Sequence, residues 1–247
     1  MNYDPYAPPG APPPNFSNAH GPGGFGGPPQ PWDIGEVLNL AWERTKANLG
    51  ALVVTTLIYF IIASIPNGIL QGLVSAGVVR EQSIEYVLIS LPISLMSMVL
   101  GAYLESGLIR IWLSAARGGA VKLEDLFSGQ GFLPLLGANL LMGLAIGVGF
   151  VFCIIPGIFL ALAFWMTPFY VIDAGMGPIR AMEASWQATT GQKGSLVLLG
   201  IVSFLIVVAG VVACCVGSLV TSPLLGIAWT IVYLRLSGQT PQAQASY

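Results

Sequence analysis

The sequence predicts an all-α polytopic membrane protein, with six transmembrane helices in three hairpins, interfacial amphipathic helices and a Pro/Gly-rich N-terminal tail. Three observations carry that prediction. Mean hydropathy is +0.77. Only 8% of the 247 residues are charged, against ~25% in soluble domains. Residues 50–236 are apolar almost throughout, and their few charges gather where apolar runs end. A soluble fold of this length could not hide so much apolar surface and keep a wettable exterior.

Three regions follow from composition: a tail over 1–31, a transmembrane domain over 32–238 and a flexible C-terminal tail over 239–247. Residues 1–31 hold ten of the eighteen prolines, together with Gly10, Gly21, Gly23, Gly24, Gly26 and Gly27. Runs such as Pro12-Pro13-Pro14 exclude helix and sheet interior, and too little is apolar to support a core. The tail therefore reads as a disordered arm of polyproline II character, punctuated by Tyr3, Tyr6, Phe16 and Phe25. Composition favours a passive tail; the alternative is an arm that docks on a protein partner.

Asp33 and Glu36 form a capping box that opens a helix. Ile34, Val37, Leu38, Ala41, Trp42 and Thr45 then recur at helical spacing, with Glu36, Asn39, Glu43 and Lys46 on other faces. That pattern is an amphipathic interfacial helix ending in the basic pair Arg44 and Lys46. A hydrocarbon core of ~30 Å needs about 20 apolar helical residues. Six stretches meet this: 50–71, 86–107, 132–153, 157–173, 195–215 and 219–236. Ile154-Ile155-Pro156-Gly157 is expected as the turn between the third and fourth spans, and Val216-Gly217-Ser218 between the fifth and sixth. Pro66, Pro92, Pro168 and Pro223 fall inside or near spans, where neighbouring helices can re-satisfy the backbone.

An internal repeat emerges once the spans are placed. Ala41-Trp42-Glu43-Arg44-Thr45, followed by Gly50-Ala51-Leu52-Val53, parallels Ser185-Trp186-Gln187-Ala188-Thr189, followed by Gly194-Ser195-Leu196-Val197, at one offset of 144 positions. A shorter version of the entry segment lies at Lys122-Leu123-Glu124-Asp125-Leu126-Phe127. The chain thus reads as three units, each an interfacial segment feeding a two-helix hairpin. Pro178 starts the second long entry helix, with Ile179, Met182 and Trp186 on one face and Arg180, Glu183 and Gln187 on the other. Bracing of the bundle is its expected role; sensing of lipid is the alternative.

Six spans place both termini on one side. Arg44, Lys46, Arg110, Arg117, Lys122, Arg180, Lys193 and Arg235 then share that side, and of the nine basic residues only Arg80 faces the other. By the positive-inside rule the termini are expected in the cytoplasm.

Little in the chain points to catalysis. The net charge of −2 gives no field that would draw nucleic acid. The single histidine, His20, lies in the tail, which removes Ser-His-Asp chemistry and His-ligated metal sites. Cys153, Cys214 and Cys215 lack CxxC spacing and sit among apolar residues. The first apolar stretch begins too late for a cleavable signal peptide. The candidate site is a cytoplasmic-side polar cluster of Glu105, Arg110, Asp173 and Arg235, in which Glu105 would pair with Arg110 or Arg235. Its bland alternative is interfacial anchoring of each group. No cofactor and no metal is expected. Gly68 with Gly72, and Gly143 with Gly147 and Gly149, permit close helix approach within the bundle or between copies.

Ile155-Pro156-Gly157-Ile158, Phe169-Tyr170-Val171-Ile172-Asp173, Gly177-Pro178-Ile179-Arg180-Ala181, Ser185-Trp186 and Thr190-Gly191 follow in order. Val216-Gly217, Thr221-Ser222-Pro223 and Val232-Tyr233 continue the series. Over roughly 32–238 this resembles an uncharacterised bacterial integral membrane protein family related to the membrane domain of glycerophosphoryl diester phosphodiesterase. The resemblance implies a helical membrane domain in a bacterial inner membrane, with catalysis in relatives residing in a separate soluble domain. No catalytic residue carries over. The expected function is that of a non-enzymatic scaffold or accessory in envelope or lipid organisation, with membrane lipids as partners. The alternative is a small permease-like carrier or lipid-handling channel, favoured by repeated hairpins and helix-breaking prolines.

Overall fold

A computed structural model describes residues 29–80, 83–212 and 216–239. The N-terminal arm lies outside the described residues except for 29–31, as do 240–247, Cys214 and Cys215. The described chain is helical: α1 Ile34–Ala47, α2 Leu49–Ser75, α3 Ile84–Ala116, a 3-10 turn Leu123–Phe127, α4 Phe132–Phe152, α5 Ile154–Phe164, α6 Thr167–Ala174, α7 Pro178–Thr189, α8 Lys193–Val212 and α9 Val216–Leu236. Among the described residues, six helical segments are long and apolar enough to cross a bilayer: Leu49–Ser75, Ile84–Ala116, Phe132–Phe152, Ile154–Ala174, Lys193–Val211 and Gly217–Leu236.

The expected spans are present, with three differences that have physical causes. First, α3 runs nine residues past its expected end at 107. At 1.5 Å per residue its 33 residues reach about 50 Å, well beyond a ~30 Å hydrocarbon core. Its second part is enclosed by protein instead, with Leu104, Ile109, Ile111 and Ala115 all buried. Second, the fourth span is two helices. Pro168 has no N–H and its ring clashes with the carbonyl four residues back, so α5 ends at Phe164 and α6 starts at Thr167. Third, the turns are shorter than expected. Cys153 alone, in extended conformation, separates α4 from α5, and Ile154-Ile155-Pro156-Gly157 forms the first turn of α5. Val216-Gly217-Ser218 likewise belongs to α9.

The repeat holds at the level of burial. Val37, Ala41 and Thr45 of α1 are buried, and so are Ala181, Ser185 and Thr189 of α7, each 144 positions later. The Thr45 hydroxyl donates to the Ala41 carbonyl at 2.8 Å, and the Thr189 hydroxyl to the Ser185 carbonyl at 2.9 Å. Leu52 and Leu196, again 144 apart, are both buried in the spans that follow. Trp42 and Trp186 both stay partly exposed, and each lies beneath a lysine ammonium, Lys46 and Lys193 respectively.

Each entry segment packs on the preceding unit. The 3-10 turn lies on α3, and α7 lies on α4, α5 and α6. The ring closes with α1, which packs on α9. This is why α7 braces the bundle: it reaches the break after α5, where the Ala163 carbonyl accepts from Ser185 Oγ at 2.7 Å. The Ser185 hydroxyl thereby satisfies one of the carbonyls that a helix end leaves open.

Asp33 caps α1 as expected, accepting from the Gly35 N–H at 2.8 Å and the Glu36 N–H at 3.2 Å. Only half of the capping box forms, because Glu36 turns its carboxylate to Arg235. Arg44, expected at the interface, is buried.

The core sits at the end of the bundle that carries both described chain ends. Gln30 N–H donates to the Arg235 carbonyl there at 3.0 Å. Leu126 packs its backbone directly on Gly107, leaving no room for a Cβ. Gly107→Ala should therefore lower thermal stability in detergent by about 1–3 kcal/mol, the usual cost of overpacking. Gly143→Ala, at a helix position that faces open space, should be neutral or slightly stabilising in the same melt. Equal melts for the two variants would refute the close approach.

Candidate functional site

The polar cluster expected from sequence resolves into four separate arrangements. Glu105 on α3 accepts from Asn139 Nδ2 on α4 at 2.6 Å. Arg110 donates through Nη2 to the Gln130 carbonyl at 3.0 Å, anchoring the loop that precedes α4. Arg235 reaches the Glu36 carboxylate and, at 3.2 Å, the Pro31 carbonyl. The expected pairing of Glu105 with Arg110 or Arg235 is thus not formed; an amide on the facing helix takes its place.

Asp173 stands at the centre of the most connected group. Its carboxylate accepts from Arg117 Nη2 at 2.8 Å through Oδ1 and 2.7 Å through Oδ2. The same Oδ2 accepts from the Tyr233 hydroxyl at 3.1 Å and from Gln239 Nε2 at 3.1 Å. Arg117 Nη2 in turn donates to Gln239 Oε1 at 2.7 Å. The Asp173 side chain is 9% exposed and that of Arg117 32% exposed. The group joins the end of α3, the end of α6 and the end of α9, which lie 56 and 60 residues apart in sequence. Gln239, placed in the C-terminal tail by composition, is buried within it.

Aromatic rings complete the setting. Tyr233 stacks on Phe169 with centroids 5.2 Å apart and meets Tyr170 edge-on at 5.1 Å. Trp165 and Trp229 are T-shaped at 4.5 Å. Arg117, Tyr233, Gln239, Glu36 and Asn139 were not placed in the polar cluster from sequence. Their only sequence signal is position: each lies at or near a helix end on the side expected to hold the cations, or faces a carboxylate across a hairpin.

Open grooves mark the surface of the described residues, and two of them are well defined. One, between α3 and α4, is walled by Leu95, Met96, Val99, Leu100, Tyr103 and Phe132. The other runs along α7 over α4 and α5, with Leu141, Phe164, Met182 and Trp186 as walls and Glu183 and Gln187 at its rim. Beside it the Lys193 ammonium lies 3.6 Å from the Phe159 ring centroid and 4.6 Å from that of Trp186. Among the described residues no three His, Cys, Asp or Glu side chains gather as a metal site would require.

The fold defines a polytopic, all-α membrane protein whose charged side chains hold its helices together. Comparison with known proteins gives distant relatives that are themselves uncharacterised. An uncharacterised protein of Mycobacterium tuberculosis (strain H37Rv) is 25% identical over 249 aligned positions, covering 93% of this chain and 74% of its own length. An uncharacterised protein of Mycobacterium bovis matches to the same extent. No protein-family model matches the chain, and no solved structure matches it.

Asp173→Ala should leave Arg117 and the Tyr233 hydroxyl facing a gap. A fully buried pair broken this way costs about 3–5 kcal/mol; partial exposure of Arg117 reduces the expectation to about 2 kcal/mol. Glu36→Ala removes a partner that is 55% exposed, and should cost under about 1 kcal/mol. Thermal melts in one detergent rank the two variants.

Proposed function

We propose that this chain is a non-enzymatic integral membrane protein of a bacterial inner membrane, acting as a scaffold or accessory in envelope or lipid organisation. The observation that carries the reading is the engagement of Glu105, Arg110, Asp173 and Arg235. Each is bonded to a helix, loop or chain end remote in sequence, an arrangement suited to holding a bundle in one shape. What such a bundle offers outward is its lipid-facing surface, the arm over 1–31 and the entry helices α1 and α7. The arm is proposed to contact a protein neighbour, and the helices the lipid headgroups. Kinship with the membrane domain of glycerophosphoryl diester phosphodiesterase is part of this proposal and rests on the motifs in 154–191 and 216–233.

Both termini are proposed to lie in the cytoplasm, because eight of nine basic residues fall on their side. A reporter active only after export should be silent when fused to either terminus and active when inserted beside Arg80. The reverse pattern would overturn the orientation.

A second reading, a small permease-like carrier or lipid-handling channel, is favoured by one feature. The helix break at Trp165–Met166 lies beside the α7 groove, whose volume is about 620 Å³. Two measurements on a deletion strain separate the readings. Crosslinks from the 1–31 arm to a neighbour, with phospholipid composition unchanged on deletion, are expected of the scaffold. Altered phospholipid composition without arm crosslinks would replace it by the carrier.

A further inference from the structure

Between Asn139 and Thr167 the chain carries no charged, amide or hydroxyl side chain, although a turn lies in the middle of that stretch. The turn is the tip of the α4–α5 hairpin, on the side away from the chain ends. Its large side chains stand clear of the bundle: Val151 is 86% exposed, Phe152 82%, and Ile155 77%. They continue, without a polar interruption, the outward apolar faces formed by Leu140, Leu144 and Val148 on α4 and Ile158 on α5. The α2–α3 connection on the same side is different in kind, reading Arg80-Glu81-Gln82-Ser83.

The backbone of the tip makes few demands on water. Cys153 N–H donates to the Gly149 carbonyl at 3.0 Å, and Gly157 N–H to the Cys153 carbonyl at 3.4 Å. A helix start normally leaves four N–H groups open, and Pro156 removes one of them from α5. A one-residue turn of this kind leaves fewer backbone groups open than a longer loop would, which lowers the cost of placing it in hydrocarbon.

Helix lengths point the same way. From the Glu105–Asn139 hydrogen bond, α3 extends back through 22 residues, about 33 Å, to the polar loop at Ser83. From the same bond α4 advances through only 14 residues, about 21 Å, to Cys153. Measured along the helix axes, the apolar tip stops about 12 Å short of the loop that meets water.

We infer that the α4–α5 hairpin ends within the hydrocarbon of the distal leaflet, and that lipid acyl chains cover its tip. The hairpin is then re-entrant in character: anchored from the chain-end side, it exposes no loop to distal water. Of the two described connections on that side, only the one at Arg80 reaches the aqueous phase.

Cys153 supplies a native probe, because it is exposed at the tip and maleimide attack requires a water-accessible thiolate. The full chain carrying Cys214→Ser and Cys215→Ser keeps Cys153 as its single thiol. A comparison chain carries those changes with Cys153→Ser and Arg80→Cys. In vesicles opened so that reagent meets both faces, Cys153 is expected to label at least about tenfold more slowly than the Arg80→Cys position. It should label fully once the vesicles are dissolved in SDS. A bimane attached to Cys153 in detergent and reconstituted should be quenched more by acyl-brominated phospholipid than one at the Arg80→Cys position. Equal labelling rates would place the tip in water and overturn the inference. Protection that disappears as the lipid-to-protein ratio rises would assign the cover to a second copy, and would also overturn it.

Discussion

One carboxylate sets the register of three helices. Asp173 closes the fourth span, and an anion so little exposed is costly unless its oxygens are paired. Arg117, Tyr233 and Gln239 meet that demand from α3, α9 and the residues after α9. Sliding any of these helices by one residue would misalign a donor and leave a polar group unmatched. The break before Pro168 is part of the same arrangement, since it frees α6 to bring Asp173, Phe169 and Tyr170 against Tyr233.

That clamp explains why the molecule is packed so differently at its two ends. Around the chain ends, Arg110, Arg117, Asp173 and Arg235 find partners, α1, the 3-10 turn and α6 close over α3, and α1 also closes over α9. Toward the other side, large apolar side chains of α2, α3, α4 and α8 face outward. In water that exposure would be prohibitive. In lipid there is no hydrophobic force to drive apolar helices together, so they need only modest contact and specific packing elsewhere. The dense end holds the bundle; the sparse end is left to the bilayer.

The cyclic packing of entry segments gives this arrangement an economy of parts. α1 and α7 bury the same three repeat positions, yet one rests on α9 and the other on α4, α5 and α6. The same local device can thus close two different seams, because it needs only small side chains and a threonine whose hydroxyl is satisfied within its own helix. Closure of the ring at α1 and α9 also fixes where the Pro-rich arm emerges, beside Arg235 and Glu36.

Class, span number, the capped first helix and the 144-residue repeat were legible in the amino-acid sequence, because each depends on local composition or on a 3.6-residue period. The nine-residue extension of α3 was not, because Leu104 to Ala115 read as one more apolar run until protein, and not lipid, encloses them. Nor were the partners of Glu105, Arg110, Asp173 and Arg235. A charge near a span end announces a need for a partner, but the partner lies 20 to 204 residues away and is chosen by which helices become neighbours. Arg117 and Gln239 were read as a cytoplasmic cation and a tail residue, and only the convergence of α3, α6 and α9 made them ligands of one carboxylate. Composition along the chain therefore determines that these helices enter a membrane. Long-range packing alone decides how they lock, since a hydrogen bond is satisfied at about 3 Å and no local pattern specifies which distant residue stands there.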